Sequence, residues 1–149
     1  YKDEEELTRD ILFETETLLE ALSPNRKYSV EGLSLWNYGA LSRRIEVDGM
    51  EAIGDEEHFE QTVEFRFSPS GTKGTNKGTK EERQAVKKWI LKLRSMEEWR
   101  GFKLQSGKNN LFVKTETFQG NISQIATQLA EQYYQLLDEI DSDIKYTNS

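Results

Sequence analysis

The stretches 41-LSRRIEVD-48 and 63-VEFRFS-68 decide the fold class of this chain. In each of them, side chains alternate with a period of two residues, which is the pattern of a strand with one buried face. Residues 28–35 alternate in the same way, with an interruption at Gly32, and Gly39 supplies a turn before the second strand. These segments predict three consecutive strands joined by short connections.

Apolar residues at helical spacing flank this strand region. The spacing predicts helices over residues 3–22, from residue 80 toward Gly101, and over residues 122–144. A hairpin over residues 102–118 separates the last two helices. The order α-β-β-β-α-β-β-α predicts an α+β fold, in which a mainly antiparallel sheet of three to five strands packs with three helices.

Polar residues mark where the last two helices begin. Thr79 with Glu82, and Asn121 with Gln124, have the three-residue spacing of a capping box. The middle helix is expected to direct one apolar stripe toward the core. The residues of that stripe are Val86, Trp89, Ile90, Leu93 and Met96.

The composition narrows the chemistry that the chain can perform. Its 149 residues predict a single domain, 1–149, and because the chain begins with Tyr1 rather than Met we expect a fragment or module of a larger protein or complex. Cys is absent, which excludes thiolate chemistry, and His58 is the only histidine, which excludes multi-histidine metal sites. No apolar run approaches the ~20 residues that span a bilayer, so we predict a cytoplasmic protein without membrane contact.

Positive charge is concentrated in one part of an acidic chain. The whole chain has 20 Lys and Arg against 27 Asp and Glu, a net charge of −7. Residues 71–110 contain 11 basic and four acidic residues, a net charge of +7, which leaves −14 for the remainder. A basic patch on an acidic body indicates an anionic partner, of which nucleic acid is the usual one. The same patch would suit an acidic protein surface, either of this chain or of a partner.

The basic residues of the middle helix form a row. Lys80, Lys87 and Arg94 recur every seven residues, on the side opposite the apolar stripe. We predict that this row and the Gly-rich loop before it contact phosphates, with an affinity that falls as the salt concentration rises. The nucleic-acid-binding residues that we predict are Lys73, Lys77, Lys80, Arg83, Lys87 and Arg94.

The Gly-rich loop at residues 71–79 does not match a nucleotide-binding motif. It leads into a helix N-terminus, where glycine-rich segments bind phosphate in some enzymes. However, it lacks both the G-x-x-x-x-G-K-[ST] and the G-x-G-x-x-G spacing. We therefore predict neither nucleotide hydrolysis nor a cofactor.

Two acidic residues and an arginine provide an enzymatic alternative. Asp48 closes the second predicted strand, and Glu64 precedes Arg66 by two positions in the third. Together with the succession α-β-β-β-α-β, this arrangement resembles the PD-(D/E)XK nuclease family. The resemblance implies a catalytic site in which Asp48 and Glu64 hold Mg²⁺ and Arg66 stands where the family has a lysine.

The chain departs from that family at two positions. Val47 stands where the motif has a proline, and the guanidinium of Arg66 does not release a proton as a lysine can. The other interpretation is that Glu64 and Arg66 form a charge pair on an outward face of the sheet.

Other segments predict protein contacts. The run Trp36-Asn37-Tyr38-Gly39, residues 97–99 and the last helix are similar to an uncharacterised domain appended to nucleases of bacterial defence systems, which implies a place in such an assembly. The acidic segments 3–20 and 48–64 would suit a decoy that binds DNA-handling proteins. The last helix has a wide apolar stripe, from which we expect its part at 136–144 to contact a protein partner or a second copy.

These features favour a non-enzymatic module that binds nucleic acid or a partner protein within a DNA- or RNA-processing or defence assembly. A divergent Mg²⁺-dependent nuclease and an acidic decoy are the alternatives. The residue pattern indicates neither the type of nucleic acid nor any sequence preference.

Overall fold

The computed structural model describes residues 3–52, 58–68, 78–96, 98–105 and 111–149. Within these residues the chain is an α+β protein with three helices and a seven-stranded sheet, which confirms the predicted class. The helices are α1 (Glu4–Leu22), α2 (Lys80–Arg94) and α3 (Ile122–Thr147). The strands are β1 (Tyr28–Glu31), β2 (Ser34–Asn37), β3 (Ser42–Ala52), β4 (Phe59–Ser68), β5 (Glu98–Trp99), β6 (Phe102–Gln105) and β7 (Leu111–Gly120).

All neighbouring strands of the sheet are antiparallel, in the order β1-β2-β3-β4-β7-β6-β5. The three long strands, β3, β4 and β7, lie at its centre, and short strands complete both sides. Most neighbours in the sheet are also neighbours in sequence, because short turns let consecutive antiparallel strands pair. The pairing of β4 with β7 is the exception, since α2 and the β5–β6 hairpin lie between them in sequence.

The prediction of three to five strands is too low, because the shortest strands contain too few residues to show a period of two. Residues 28–35, expected as one interrupted strand, form two strands, and Gly32 makes the tight turn between them with a φ of 59°. Arg100 and Gly101 have φ angles of 49° and 85° and form the two-residue turn between β5 and β6. Strand β5 itself has only two residues.

Capping boxes begin α2 and α3 as predicted, and their members are Thr79 with Glu82 and Asn121 with Gln124. The end of α2 differs from the prediction. The helix stops at Arg94, and Gly101, expected as its end, belongs to the β5–β6 hairpin. Met96, predicted in the core, therefore lies beyond the helix and is exposed.

The three helices pack on the same face of the sheet and enclose the core. Helix α1 contacts β1–β3 and α3, while α3 also contacts α2, β4 and β7. The ring of Phe67 in β4 has four aromatic neighbours at centroid distances between 5.1 and 5.7 Å, namely Trp89, Trp99, Phe102 and Phe112. The opposite face of the sheet is here named the outer face. Its central side chains are Trp36, Arg44, Glu46, Glu64, Arg66, Val113 and Thr115.

Candidate nucleic-acid interface

Helix α2 is held to the core along one side. Its buried side chains are Val86, Trp89, Ile90 and Leu93, as the sequence predicts. The indole N–H of Trp89 donates to Oδ2 of Asp143 in α3 at 2.7 Å, and the indole N–H of Trp99 donates to the same oxygen at 3.2 Å. This shared carboxylate fixes which side of α2 faces the protein, and hence which side faces the solvent.

The solvent side of α2 carries six basic residues, here named the cationic face. All six are exposed, and none forms an ion pair with a described residue. They are Lys80, Arg83, Lys87, Lys88, Lys92 and Arg94. The structure thus brings together four predicted binding residues and adds Lys88 and Lys92, which lie outside the predicted seven-residue row. Lys73 and Lys77, predicted for the same site, lie outside the described residues.

Arginines elsewhere in the described ranges are paired with carboxylates. Six lie outside α2, and each has a guanidinium nitrogen within 3.8 Å of a carboxylate oxygen. They are Arg9, Arg26, Arg43, Arg44, Arg66 and Arg100. On α2 the acidic residues are Glu81 and Glu82 of the first turn, where they complement the helix dipole and complete the cap. The positive potential of the cationic face is therefore not neutralised by ion pairs in the described structure.

Four cations of α2 flank the exposed side chain of Leu91. At about 100° per residue, Lys87 and Arg94 project to one side of the exposed surface, and Lys88 and Lys92 project to the other. Leu91 lies between the two groups and is 63% exposed. A ligand on this face would meet positive charge along both edges and an apolar contact in the middle.

The last turn of α3 borders the cationic face. The amide of Asn148 donates to the carbonyl oxygen of Ala85 at 3.0 Å, and the ammonium of Lys92 lies 3.5 Å from the hydroxyl of Thr147. The same ammonium is 5.8 Å from the centroid of the Tyr146 ring. The sequence contains no signal for this neighbour, because Lys92 and Tyr146 lie on different helices far apart in the chain.

The residues of the nuclease alternative adopt a different arrangement. The Nε of Arg66 donates to Oε2 of Glu64 at 2.7 Å, and its NH1 lies 2.9 Å from Oε2 of Glu46 on the neighbouring strand. Asp48 is exposed at the irregularity where the β3–β4 register shifts, between Val47 and Gly49. In the described ranges no group of three or more acidic or histidine side chains is placed to hold a metal ion. The charge-pair interpretation of Glu64 and Arg66 matches this geometry.

The topology behind the nuclease resemblance also changes. Four strands precede α2 instead of three, so Asp48 lies in the third strand and Glu64 in the fourth. Because β3 and β4 are antiparallel, the residue opposite Glu64 is Glu46, and Asp48 lies further along the strand. These positions give the nuclease alternative no geometric support.

Aromatic side chains of the outer face are already in contact with protein groups. The rings of Trp36 and Tyr38 stack with centroids 5.1 Å apart and planes 3° apart. The guanidinium of Arg44 lies 4.8 Å from the centroid of Trp36, and the hydroxyl of Tyr38 donates to Glu31. The two rings therefore contact each other and Arg44, and this cation–π contact engages one face of Trp36 within the protein.

A buried cation joins α3 to the sheet. Arg43 donates to Oδ1 of Asn37 at 2.6 and 3.0 Å and to Oδ1 of Asp141 at 2.6 Å. Asp141 also accepts a hydrogen bond from Arg26, which bonds Asp138 as well. A groove of about 410 Å³ lies between this network and the start of α2. Arg26, Arg43 and Asp141 line it, and their charges are already paired with one another.

The apolar stripe of α3 is covered by the chain itself at 136–144. Leu137 and Ile140 are fully buried, and Leu136 and Ile144 pack against the core while partly exposed. We predicted that this apolar segment contacts a protein partner or a second copy. In the structure, most of its apolar surface packs against the protein's own core.

Comparison of the chain with protein-family models, with curated proteins and with solved structures finds no match. Among the described residues, no helix combines the length and the apolar character that crossing a bilayer requires.

Proposed function

We propose that this chain is a non-enzymatic module that binds nucleic acid through the cationic face of α2. The observation that carries the proposal is a set of six exposed basic side chains, without ion pairs to described residues, on one helix of a protein whose net charge is −7. Arg83 with Lys87, and Lys88 with Lys92, are like-charge pairs one helical turn apart, which destabilise a helix by a few tenths of a kcal/mol each. Bound phosphates would remove that repulsion.

The dimensions of α2 suit a nucleic-acid backbone. Its 15 residues make a rod of about 22 Å, which corresponds to about six base-pair steps of a duplex. Flexible lysine ammonium groups contribute point charges rather than the planar fork that recognises one base. Binding through this face is therefore proposed to be governed by phosphate contacts and to depend little on sequence.

The proposal retains the wider context that the sequence predicts. The module belongs to a larger DNA- or RNA-processing or defence assembly and acts in the cytoplasm. No reaction is assigned to it, since Glu64 and Arg66 are engaged with each other.

A salt titration with a matched pair of variants tests the proposal. Lys87→Glu/Arg94→Glu reverses two charges on the cationic face, and Arg9→Glu/Lys103→Glu makes the same change in net charge on α1 and β6. For the wild type, the logarithm of the binding constant should fall with the logarithm of salt concentration with a slope of about −5 on duplex DNA and about −4 on single strands, if all six cations contact phosphates. The first variant should bind at least about tenfold more weakly, with a slope shallower by about two, whereas the second should bind like the wild type.

Three outcomes would count against the proposal. Equal losses in both variants would mean that net charge, rather than the cationic face, governs binding. Absence of nucleic-acid binding at low salt would indicate that the cationic face binds an acidic protein partner instead. Shortening of the probe only with Mg²⁺, abolished by Glu64→Ala, would establish the nuclease alternative instead.

A further inference from the structure

Tyr146 is the aromatic side chain that borders the cationic face and remains open to solvent. It is 75% exposed, the largest value among the exposed large apolar side chains of the described residues. The ammonium of Lys92 lies 5.8 Å from its ring centroid. Because three quarters of the residue is exposed, most of the ring is accessible to solvent, and it also lines an open groove of about 460 Å³ with Arg100 and Asp143.

The backbone that carries Tyr146 is held in place. Thr147 donates its hydroxyl to the carbonyl oxygen of Asp143 at 2.9 Å, and the amide of Asn148 donates to Ile144 and Ala85 at 2.8 and 3.0 Å. The bond to Ala85 ties the end of α3 to α2, and the other two hold the last turn of α3, so the ring is presented beside the cations by ordered backbone. Such preorganisation reduces the entropy lost when a ligand stacks on the ring.

Other aromatics in the described ranges do not combine these properties. Trp36 and Tyr38 stack on each other on the outer face, and Arg44 lies over Trp36. Phe13 is 51% exposed, but it lies on α1, which packs on α3 and β1–β3.

We propose that Tyr146 stacks on an unpaired base of the bound nucleic acid while the cationic face holds the adjacent phosphates. This inference rests on the proposed function and names its ligand class, a single strand or a single-stranded end. An intact duplex keeps its bases stacked on one another and offers the ring no base face, whereas a single strand exposes a π-face at every nucleotide. The cation beside the ring on one side and a base on the other form the combination that single-strand binders use.

The test compares Tyr146→Ala with Phe13→Ala on three probes of equal length. The probes are single-stranded oligo-dT or oligo-rU, an abasic strand with the same phosphates, and a duplex. Tyr146→Ala should lose roughly fivefold to a hundredfold in affinity for the single strand, and should bind the abasic strand and the duplex like the wild type. Phe13→Ala should match the wild type on all three. Tyr146→Phe, which keeps the ring, should retain the affinity, and Tyr146→Leu, which keeps only apolar bulk, should not.

The outcomes separate this inference from the proposed function. Equal losses of Tyr146→Ala on the abasic and normal strands would mean that Tyr146 only positions Lys92, and would overturn base stacking. Unchanged binding by Tyr146→Ala, with weakened binding by Lys87→Glu/Arg94→Glu, would overturn the inference and leave the proposed function standing. If the wild type binds none of the probes at low salt, both proposals fail together. Unchanged thermal unfolding of Tyr146→Ala is the control for the fold.

Discussion

The cationic face of α2 and the outer face of the sheet both carry basic side chains, but they hold them in different states. On the outer face, Arg66 lies 2.7 Å from a carboxylate oxygen of Glu64 and 2.9 Å from one of Glu46. On α2, no cation pairs with a carboxylate of a described residue. A paired cation has replaced water by a protein partner, whereas an exposed unpaired one keeps its charge for a ligand. Lys27, Lys103 and Lys145 also have no ion pair with a described residue, but they are scattered, so the grouping of six unpaired cations on one helix locates the candidate binding surface.

The two regions also use different basic residues. The ion pairs of the outer face are formed by arginines, Arg44 and Arg66, and the planar guanidinium can reach two carboxylates at once, as that of Arg66 does. The cationic face has four lysines and two arginines, and lysine is a flexible point charge. Rigid forks suit a fixed register of neighbouring strands, and flexible ammonium groups suit the variable spacing of phosphates along a backbone.

Removal of Asp141 should produce the largest loss of stability among changes that test this comparison. The side chain of Arg43 is only 8% exposed, so Asp141→Ala leaves a buried cation with Asn37 as its remaining partner. Because Asp141 itself is 45% exposed and water screens the pair, we expect the free energy of unfolding to fall by about 2 kcal/mol, less than for a fully buried pair. Urea denaturation measures it.

The matched control for this change is Asp138→Ala. Asp138 is exposed and pairs with Arg26, which keeps Asp141 as a second partner. We expect a cost of about 0.5 kcal/mol, as for other surface pairs. Similar losses for the two variants would show that the burial of Arg43 does not increase the contribution of its ion pair to the free energy of unfolding.

Arg66→Leu should have a smaller effect, on the outer face itself. The substitution leaves Glu46 and Glu64 directly opposite each other and removes the closest cation; Arg44, 3.8 Å from Glu46, still screens one of them, so we expect a cost of about 1 kcal/mol. Adding Glu64→Gln should restore part of this loss, because the like-charge repulsion disappears. Urea denaturation of the single and double variants measures the coupling.

The corresponding change on the cationic face provides the contrast. Lys87→Leu removes a cation without a described carboxylate partner, and should alter the free energy of unfolding by less than about 0.5 kcal/mol while weakening nucleic-acid binding. A loss as large as that of Arg66→Leu would contradict the distinction between paired and unpaired cations.

The ionisation of Tyr38 tests the internal contacts of the outer face at high pH, and its expected effect on stability is the smallest of those described. Burial, and then the hydrogen bond to Glu31, raise the pKa of Tyr38 to about 12. An unfolded tyrosine has a pKa of about 10, so the folded protein binds this proton more tightly. The resulting contribution to stability is complete below about pH 10 and is lost as the pH rises toward about 12.

The phenolate absorbance of the wild type and of Tyr38→Phe measures that ionisation. The variant should lack one group that titrates near pH 12. If both proteins show the same titration above pH 10, the contact with Glu31 does not hold the proton of Tyr38.

Helices and their caps could be predicted from the sequence because the signals are local. The side chains that form the boxes at Thr79 and Asn121 lie three residues apart, and the 3.6-residue period determines that Trp89 is buried and Lys87 exposed. The long strands β3 and β4 were predictable for the same reason, because their period of two extends over many residues. The antiparallel pairing of these consecutive strands follows from the short connection between them.

The strand count and the full extent of the candidate site could not be predicted in this way. Strand β5 has two residues and β1 and β2 have four each, too few for a pattern. Glu46 pairs with Arg66 across strands, and Lys92 meets Tyr146 across helices. Such contacts depend on how the elements pack, and the sequence pattern of either partner does not contain the other.

The sequence by itself thus determined the α+β class, the three helices and the side of α2 that faces solvent, because periodicity and capping act over a few residues. Only the tertiary structure decided which cations are neutralised and which aromatic ring stands beside the free ones. Ion pairs and ring contacts require groups within a few ångströms of each other. That proximity is created when α3 and the sheet pack around the shared core.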